Sequence, residues 1–176
     1  MAAAVPLTSR PLDFVYFCFF LSHIPASLLL DFQILYPAQY VPSFLLDLRN
    51  WYIQFSADPL ISGAARGAGE LVWFRCFAWL ELLFQFPVFL LGMKGLWNNS
   101  RSIYVLLLAY GASTATTTLP CILYILKEKS QVTEAQLLIL LSSYIPFFLI
   151  PLTMAVDMTF RVHSKMLSSN GKAKAE

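Results

Sequence analysis

The sequence predicts an all-α membrane protein: four kinked transmembrane helices around an internal, lipid-accessible pocket, with both termini cytosolic. Three observations predict it. Of the 176 residues, 58% are hydrophobic and 12% charged, with a mean hydropathy of +0.64, whereas soluble domains run at about 45–50% apolar and about 25% charged. Four apolar stretches reach the ~20 residues that a membrane helix needs. Each of them also carries a proline (Pro25, Pro87, Pro120, and the pair Pro146 and Pro151). A bundle kinked in every helix is a poor rigid scaffold and a good hollow one.

The same numbers exclude other classes. A net charge of +2 with no dense basic face argues against nucleic acid as a partner. Cys18, Cys76 and Cys121 all lie inside apolar runs without paired spacing, so neither a disulfide framework nor a zinc site is readable. The length suits one domain with no separate soluble catalytic module.

Taken in order, residues 1–11 form a short N-terminal segment, and 12–158 a single four-helix transmembrane domain. Its spans are 12–30, 71–92, 103–126 and 135–158, and a cap over 31–70 joins the first two. The first span lacks a small-residue cleavage site and holds His23 and Pro25 in its middle, so it reads as a span rather than a signal peptide. Orientation follows from the basic residues. With cytosolic termini, that side holds Arg10, Lys94, Arg101, Arg161, Lys165, Lys172 and Lys174, against Arg49, Arg66, Lys127 and Lys129 on the other. The sequon Asn98-Asn99-Ser100 then lies in the cytosol, unmodified.

The basic tail, 159–176, ends Lys172-Ala173-Lys174-Ala175-Glu176. Its lysine spacing resembles a dilysine signal for retrieval to the endoplasmic reticulum; plain positive-inside charge accounts for it equally well. In the cap, Phe44, Leu45, Leu48, Trp51, Tyr52 and Phe55 recur at helical spacing with Asp47, Arg49, Asn50 and Gln54 between them. Two forms fit: an amphipathic helix closing the bundle, or an interfacial helix lying on lipid headgroups. Pro37, Pro42 and Pro59 punctuate the cap, and the Gly/Ala-rich residues 62–69 read as a flexible stretch.

Ionisable groups inside spans are the functional candidates, because a carboxylate in hydrocarbon costs about 2.5–3.5 kcal/mol on insertion scales. Glu81 sits near the middle of the second span, too short to snorkel, with Gln85 four residues on and on the same helix face. Pro87 frees the carbonyl of Leu83, so a kink should open room beside the pair. The alternative is a protonated Glu81 bonded to a neighbouring helix. Asp31 ends the first span; alone, it would read as an interfacial carboxylate. His23 lies eight residues before it, about 12 Å along a helix and near the same face.

Straight helices leave Glu81 roughly 15 Å deeper than Asp31. A contact needs the first span broken or tilted at Pro25, or Asp31 drawn inwards beneath the amphipathic cap. If they meet, two carboxyls in a dry site cannot both ionise. The pair then carries one negative charge and one proton to donate, which suits a cationic amine or a sterol hydroxyl. Arg75 reads as a snorkelling structural residue, and Asp157 as an interfacial ion-pair partner of Arg161, four residues on.

Ser113 and Thr114, with Thr116 to Thr118, precede Pro120; such hydroxyls mostly bond back to the previous turn. Tyr144-Ile145-Pro146-Phe147-Phe148-Leu149-Ile150-Pro151 cannot form a straight helix. No Gly-rich phosphate cradle and no haem or metal-ligand spacing appears. No cofactor, metal ligand or catalytic residue is therefore assigned.

The ordered set of motifs is more specific than any one of them. Phe20-Leu21-Ser22-His23-Ile24-Pro25 with Asp31-Phe32-Gln33 resembles the first span of the sigma-2 receptor (transmembrane protein 97) family, in the EXPERA superfamily. Trp51-Tyr52, Asp58-Pro59-Leu60, Trp73-Phe74, Glu81 to Pro87, Tyr144-Ile145-Pro146 and Leu149-Ile150-Pro151 continue the resemblance. It implies a multi-pass protein of the endoplasmic reticulum, extending to the nuclear envelope or endolysosomal membranes, that binds sterols, oxysterols and cationic amphiphiles and serves cholesterol homeostasis. It further implies Asp31 as counter-ion of a ligand amine, Glu81 as its protonated partner, and Asp58 as a structural acid. His23, Trp51, Gln85, Thr117 and Tyr144 would line the pocket, with Phe147 where the family has a tyrosine. Membrane lipid, a Niemann–Pick-type cholesterol transporter and a second copy in a homodimer are the further partners it suggests.

Two functions compete. One is a non-enzymatic receptor. The other is a sterol double-bond isomerase like the emopamil-binding relatives, which needs an acid, a base and an apolar cavity for a carbocation. One acidic dyad, with no second buried carboxyl clearly partnered, favours binding.

Overall fold

The computed structural model describes residues 5–173. Four helical segments in it are long and apolar enough to cross a membrane: Pro11–Ile34, Gly69–Trp97, Arg101–Lys127 and Glu134–Ser168. They alternate in direction, so one end of the bundle gathers both chain ends and the other carries a small helical cap. No strand occurs among the described residues.

Helix α1 (Pro11–Leu29) starts with proline at its first position, where a missing N–H costs nothing. It does not break at Pro25. It ends at Leu30, whose φ of −124° and ψ of −59° leave the helical region, and the chain tightens into a 3₁₀ turn, Asp31–Ile34. Asp31 thus comes to lie beneath the cap, beside Tyr52 and Ile61, without a break at Pro25.

The cap is helix α2 (Ser43–Ser56), closed by Ala57 in the left-handed region, and helix α3 (Pro59–Ala65). Residues 62–69 are therefore not simply a flexible stretch. Their first half completes α3, where alanines favour the helix, and the chain then turns at Gly67 with φ +72°.

The second span is α4 (Val72–Leu80), a π turn (Glu81–Gln85) and α5 (Phe86–Trp97). The disturbance expected at Pro87 lies just before it: the wider turn, with Phe86 N–H reaching back to Glu81 C=O, re-registers the backbone ahead of the residue that cannot donate. Helix α6 (Tyr104–Lys127) carries Pro120, and α7 (Glu134–Ala173) carries Pro146 and Pro151. Gly111 lets α6 and α7 approach: a Cβ there would lie 2.6 Å from the Pro151 carbonyl oxygen.

Lipid tails are as apolar as leucine, so close packing rather than water exclusion holds such a bundle. Tyr16, Phe20, Phe89, Leu107, Tyr110 and Met158 belong to a cluster in the half nearer the chain ends. Leu60, Leu71, Cys121, Ile125 and Leu140 form another beneath α3. The cavity lies between them.

Candidate functional site

The cavity measures about 250 Å³ and is lined from every span and from the cap. Helix α1 supplies His23 and Ala26, and the following turn Asp31; α2 and α3 supply Tyr52 and Ile61. Phe77 and Ala78 come from α4, Glu81 and Gln85 from the π turn. Helix α6 gives Thr114, Thr117, Thr118 and Cys121, and α7 gives Ser143, Tyr144 and Phe147. No Lys or Arg is among these residues.

His23, Asp31 and Glu81 converge: each offers a donor atom, and these atoms lie within 4.8 Å of one another. They are also the described residues whose donors can close on a cation. His23 Nε2 is 3.7 Å from Glu81 Oε1. The ring is wedged among aromatics, stacked on Phe89 at 4.6 Å and edge-on to Phe147 at 4.5 Å between centroids, while its buried Nδ1 has no hydrogen-bond partner. The Ser27 hydroxyl donates to Glu81 Oε1. Asp31 makes no side-chain hydrogen bond or ion pair among the described residues.

The roof is ordered by Asp58. Its Oδ1 accepts from the backbone N–H of Leu60 (2.8 Å) and Ile61 (3.1 Å), capping α3. Its Oδ2 accepts from the hydroxyls of Tyr52 (3.0 Å) and Tyr144 (2.9 Å). One carboxyl thus fixes two cavity-lining tyrosines from different helices and ties the cap to α7. Burial pushes Asp58 above the usual carboxylate range, against those four hydrogen bonds. Burial, and then the Asp58 charge, raises the Tyr52 hydroxyl as well.

Of the residues expected at the site, Asp31, Glu81, His23, Gln85, Thr117, Tyr144 and Phe147 all line the cavity. Trp51 does not. It is 59% exposed and stacks on Phe55 at 5.4 Å on the outer face of α2, while its neighbour Tyr52 points inwards. One residue on a helix is a rotation of about 100°, and both faces of α2 are aromatic. The expected back-bonding of the α6 hydroxyls is seen: Thr117 and Thr118 both donate to the Thr114 carbonyl. Gln85 Nε2 reaches Ser113 Oγ at 3.4 Å.

Ser27 was not expected, although the spacing His23, Ser27, Asp31 places all three on one helix face. At the other end of the bundle Asp157 pairs with Arg161 as expected, Nη2 to Oδ2 at 2.7 Å. Asp13, 3% exposed, takes the same guanidinium at 2.7 Å and had no signal beyond its place at the start of a span. Arg75 is exposed and outside the cavity. Lys174 lies outside the described residues, and only the backbone of Lys172 is described, in the last turn of α7.

A family model described as EXPERA (EXPanded EBP superfamily) matches residues 44–158. The chain is 32% identical over 160 residues to sigma intracellular receptor 2 of Xenopus tropicalis, covering 86% of this chain and 90% of the relative. With the human protein of that name it shares 30% over 164 residues, 87% of this chain and 90% of the relative. It is also 31% identical over 160 residues to efficient mitochondria targeting-associated protein 19 of Schizosaccharomyces pombe, covering 90% of this chain and 80% of the relative.

Proposed function

We propose that this chain, which belongs to the EXPERA family of membrane proteins, is a receptor-like protein that binds sterols, oxysterols and cationic amphiphiles in its intramembrane cavity. One observation carries the reading. Asp31 and Glu81 meet in a mostly apolar cavity whose lining holds no Lys or Arg. Like charges cannot both be held there, so the pair presents one negative charge and one hydrogen-bond donor. A protonated amine satisfies the first; a sterol hydroxyl can engage both. Surrounding Phe77, Phe147 and Ile61 suit the hydrocarbon body. The volume lies just under the ~300–1,000 Å³ usual for small-molecule sites, so a whole sterol must push the walls outwards or extend between helices.

In the same proposal the termini face the cytosol and the protein resides in the endoplasmic reticulum, serving cholesterol homeostasis, with a Niemann–Pick-type transporter and a second copy of itself as protein partners. The test is equilibrium binding of a labelled cationic amphiphile to the purified protein, competed with hydroxysterols, for wild type and Asp31→Asn. Saturable binding that sterols displace and the variant loses is the expected result. No saturable binding by folded wild type overturns the reading.

The closeness of His23 and Glu81 favours one second reading. An imidazole 3.7 Å from a carboxyl sets a base and an acid side by side on one cavity wall, and sterol double-bond isomerisation requires one of each. Incubation with an unsaturated sterol, followed by chromatography of the extracted sterols, separates the two: a shifted double bond at catalytic turnover establishes the enzyme.

A further inference from the structure

A second cavity, of about 590 Å³, lies at the cap end of the bundle and shares no residue with the first. Pro59 and Gly63 of α3 form part of its wall, and the rest comes from the turn before α4 and its first residues, and from the end of α6 and the turn that follows. Its height is fixed by the spans: Trp73 stands at the start of α4 and Lys127 closes α6, so the cavity sits where hydrocarbon meets headgroups.

Its chemistry is mixed in a particular way. Arg66 and Lys127 are the cations, Glu70 and Glu128 the anions, and Trp73 and Tyr124 the aromatic surface, 5.9 Å apart between centroids. Lys127 is already engaged. It lies 3.5 Å from Glu128 and 5.6 Å above the Tyr124 ring. Glu128 also accepts from the Gln131 amide. Arg66 and Glu70 are both exposed and take part in no ion pair among the described residues. An unengaged guanidinium and an unengaged carboxylate thus share one cavity beside a tryptophan, at the membrane boundary.

We infer that this cavity binds the headgroup of a zwitterionic glycerophospholipid. Arg66 takes the phosphate, for which its planar fork is suited in a way that a lysine is not. Glu70 and the face of Trp73 take the ammonium, the carboxylate by charge and the ring by cation–π attraction. The four ionisable groups sum to zero, so an anionic headgroup gains from Arg66 and loses to the two glutamates. The acyl chains continue over Val72 of α4 and Leu123 of α6, which are 63% and 57% exposed and adjoin the cavity residues Trp73 and Tyr124 in sequence. This occupant differs from that of the Asp31 and Glu81 cavity and does not depend on it.

The test uses the full chain, purified and delipidated in detergent, with dioleoyl phosphatidylcholine, phosphatidylethanolamine or phosphatidylglycerol added and retention read by native mass spectrometry. Either zwitterionic lipid should be retained about tenfold better than phosphatidylglycerol. Glu70→Ala should reduce that selectivity about fivefold or more, whereas Arg66→Ala should lower retention of all three lipids about fivefold without reducing the selectivity, consistent with one charged contact apiece. Both side chains are exposed and unpaired, so thermal unfolding and binding of a labelled cationic amphiphile should stay at wild-type values. Soluble phosphocholine, added in excess, should displace the lipid only weakly. Equal or better retention of phosphatidylglycerol by wild type, unchanged selectivity in Glu70→Ala, or unchanged retention in Arg66→Ala overturns the inference. Phosphocholine binding as tightly as the lipid overturns the assignment to a membrane lipid.

Discussion

The two ends of the bundle bury carboxylates in opposite ways. Toward the chain ends, Asp13 and Asp157 share the Arg161 guanidinium, with Nη1 to Asp13 and Nη2 to Asp157 both at 2.7 Å. Arg10 pairs with Asp13 and donates to the Leu96 carbonyl at 2.7 Å, and the Tyr16 hydroxyl reaches Asp157 at 3.2 Å. Both of these carboxyls meet a cation from this chain. Beneath the cap there are three carboxyls with no Lys or Arg partner among the described residues; the one nitrogen base near them is His23, 3.7 Å from Glu81. Asp58 is satisfied by four hydrogen bonds, Glu81 accepts from Ser27, and Asp31 has none. Paired acids fasten helices together; an acid left without a cation is free to meet one from outside.

The sharpest way to break that comparison is to neutralise one acid at each end. Asp31→Asn should lower affinity for a cationic amphiphile by about 100-fold, the ~2.7 kcal/mol of a desolvated charge contact. Thermal stability should hold or rise, since no partner is lost. Unchanged affinity would remove Asp31 from the site. Arg161→Ala should do the reverse. It leaves Asp157 without a cation and Asp13 with Arg10 alone, and the cost should approach the lower range for a broken buried pair, about 2–3 kcal/mol, because the guanidinium is 25% exposed. Thermal unfolding should fall by several degrees while the folded fraction binds ligand normally. Loss of ligand affinity in folded Arg161→Ala would mean that the two ends are not independent.

A smaller effect separates the two cavity carboxyls. Glu81→Gln preserves an acceptor for Ser27 but removes the titrating proton. It should weaken amine binding about tenfold and flatten its dependence on pH, measured by repeating the titration between about pH 5 and pH 8. An unchanged pH profile would show that Glu81 does not share the charge of Asp31.

The difference between the ends also explains what could be read from the sequence. Spans were legible because membrane helices must satisfy their own backbone and must be long, and Glu81 because a carboxylate inside an apolar run has few uses; Asp31, at a span end, drew notice only through His23 near the same helix face and through the family resemblance. Asp13 lay at the start of the first span, where an acid needs no special reason. Its pairing with Arg161 depends on how α1 meets α7, a contact across 148 residues. The π turn at Glu81–Gln85 left only the trace of Pro87. α3 escaped because its glycine and alanines read as slack, although Gly63 is there so that Leu71 can pack against the helix.

Trp51 is the clearest failure, and its smallest effect completes the comparison. In water, a helix buries its apolar face, so periodicity tells inside from outside. In α2 that rule loses its power, because lipid accepts the outward Phe44, Trp51 and Phe55 as readily as the bundle accepts Leu45. What distinguishes the faces is a polar anchor: Tyr52 has Asp58 within 3.0 Å, whereas the Trp51 ring meets only Phe55. Trp51→Ala should therefore change amine affinity by no more than about twofold. Tyr52→Phe keeps the ring but loses one hydrogen bond to a buried carboxyl, and should lower thermal stability by about 1–2 kcal/mol. If Trp51→Ala instead costs as much affinity as Glu81→Gln, α2 turns its other face to the ligand. The aromatic stripe on its outside would then belong to the site rather than to the membrane.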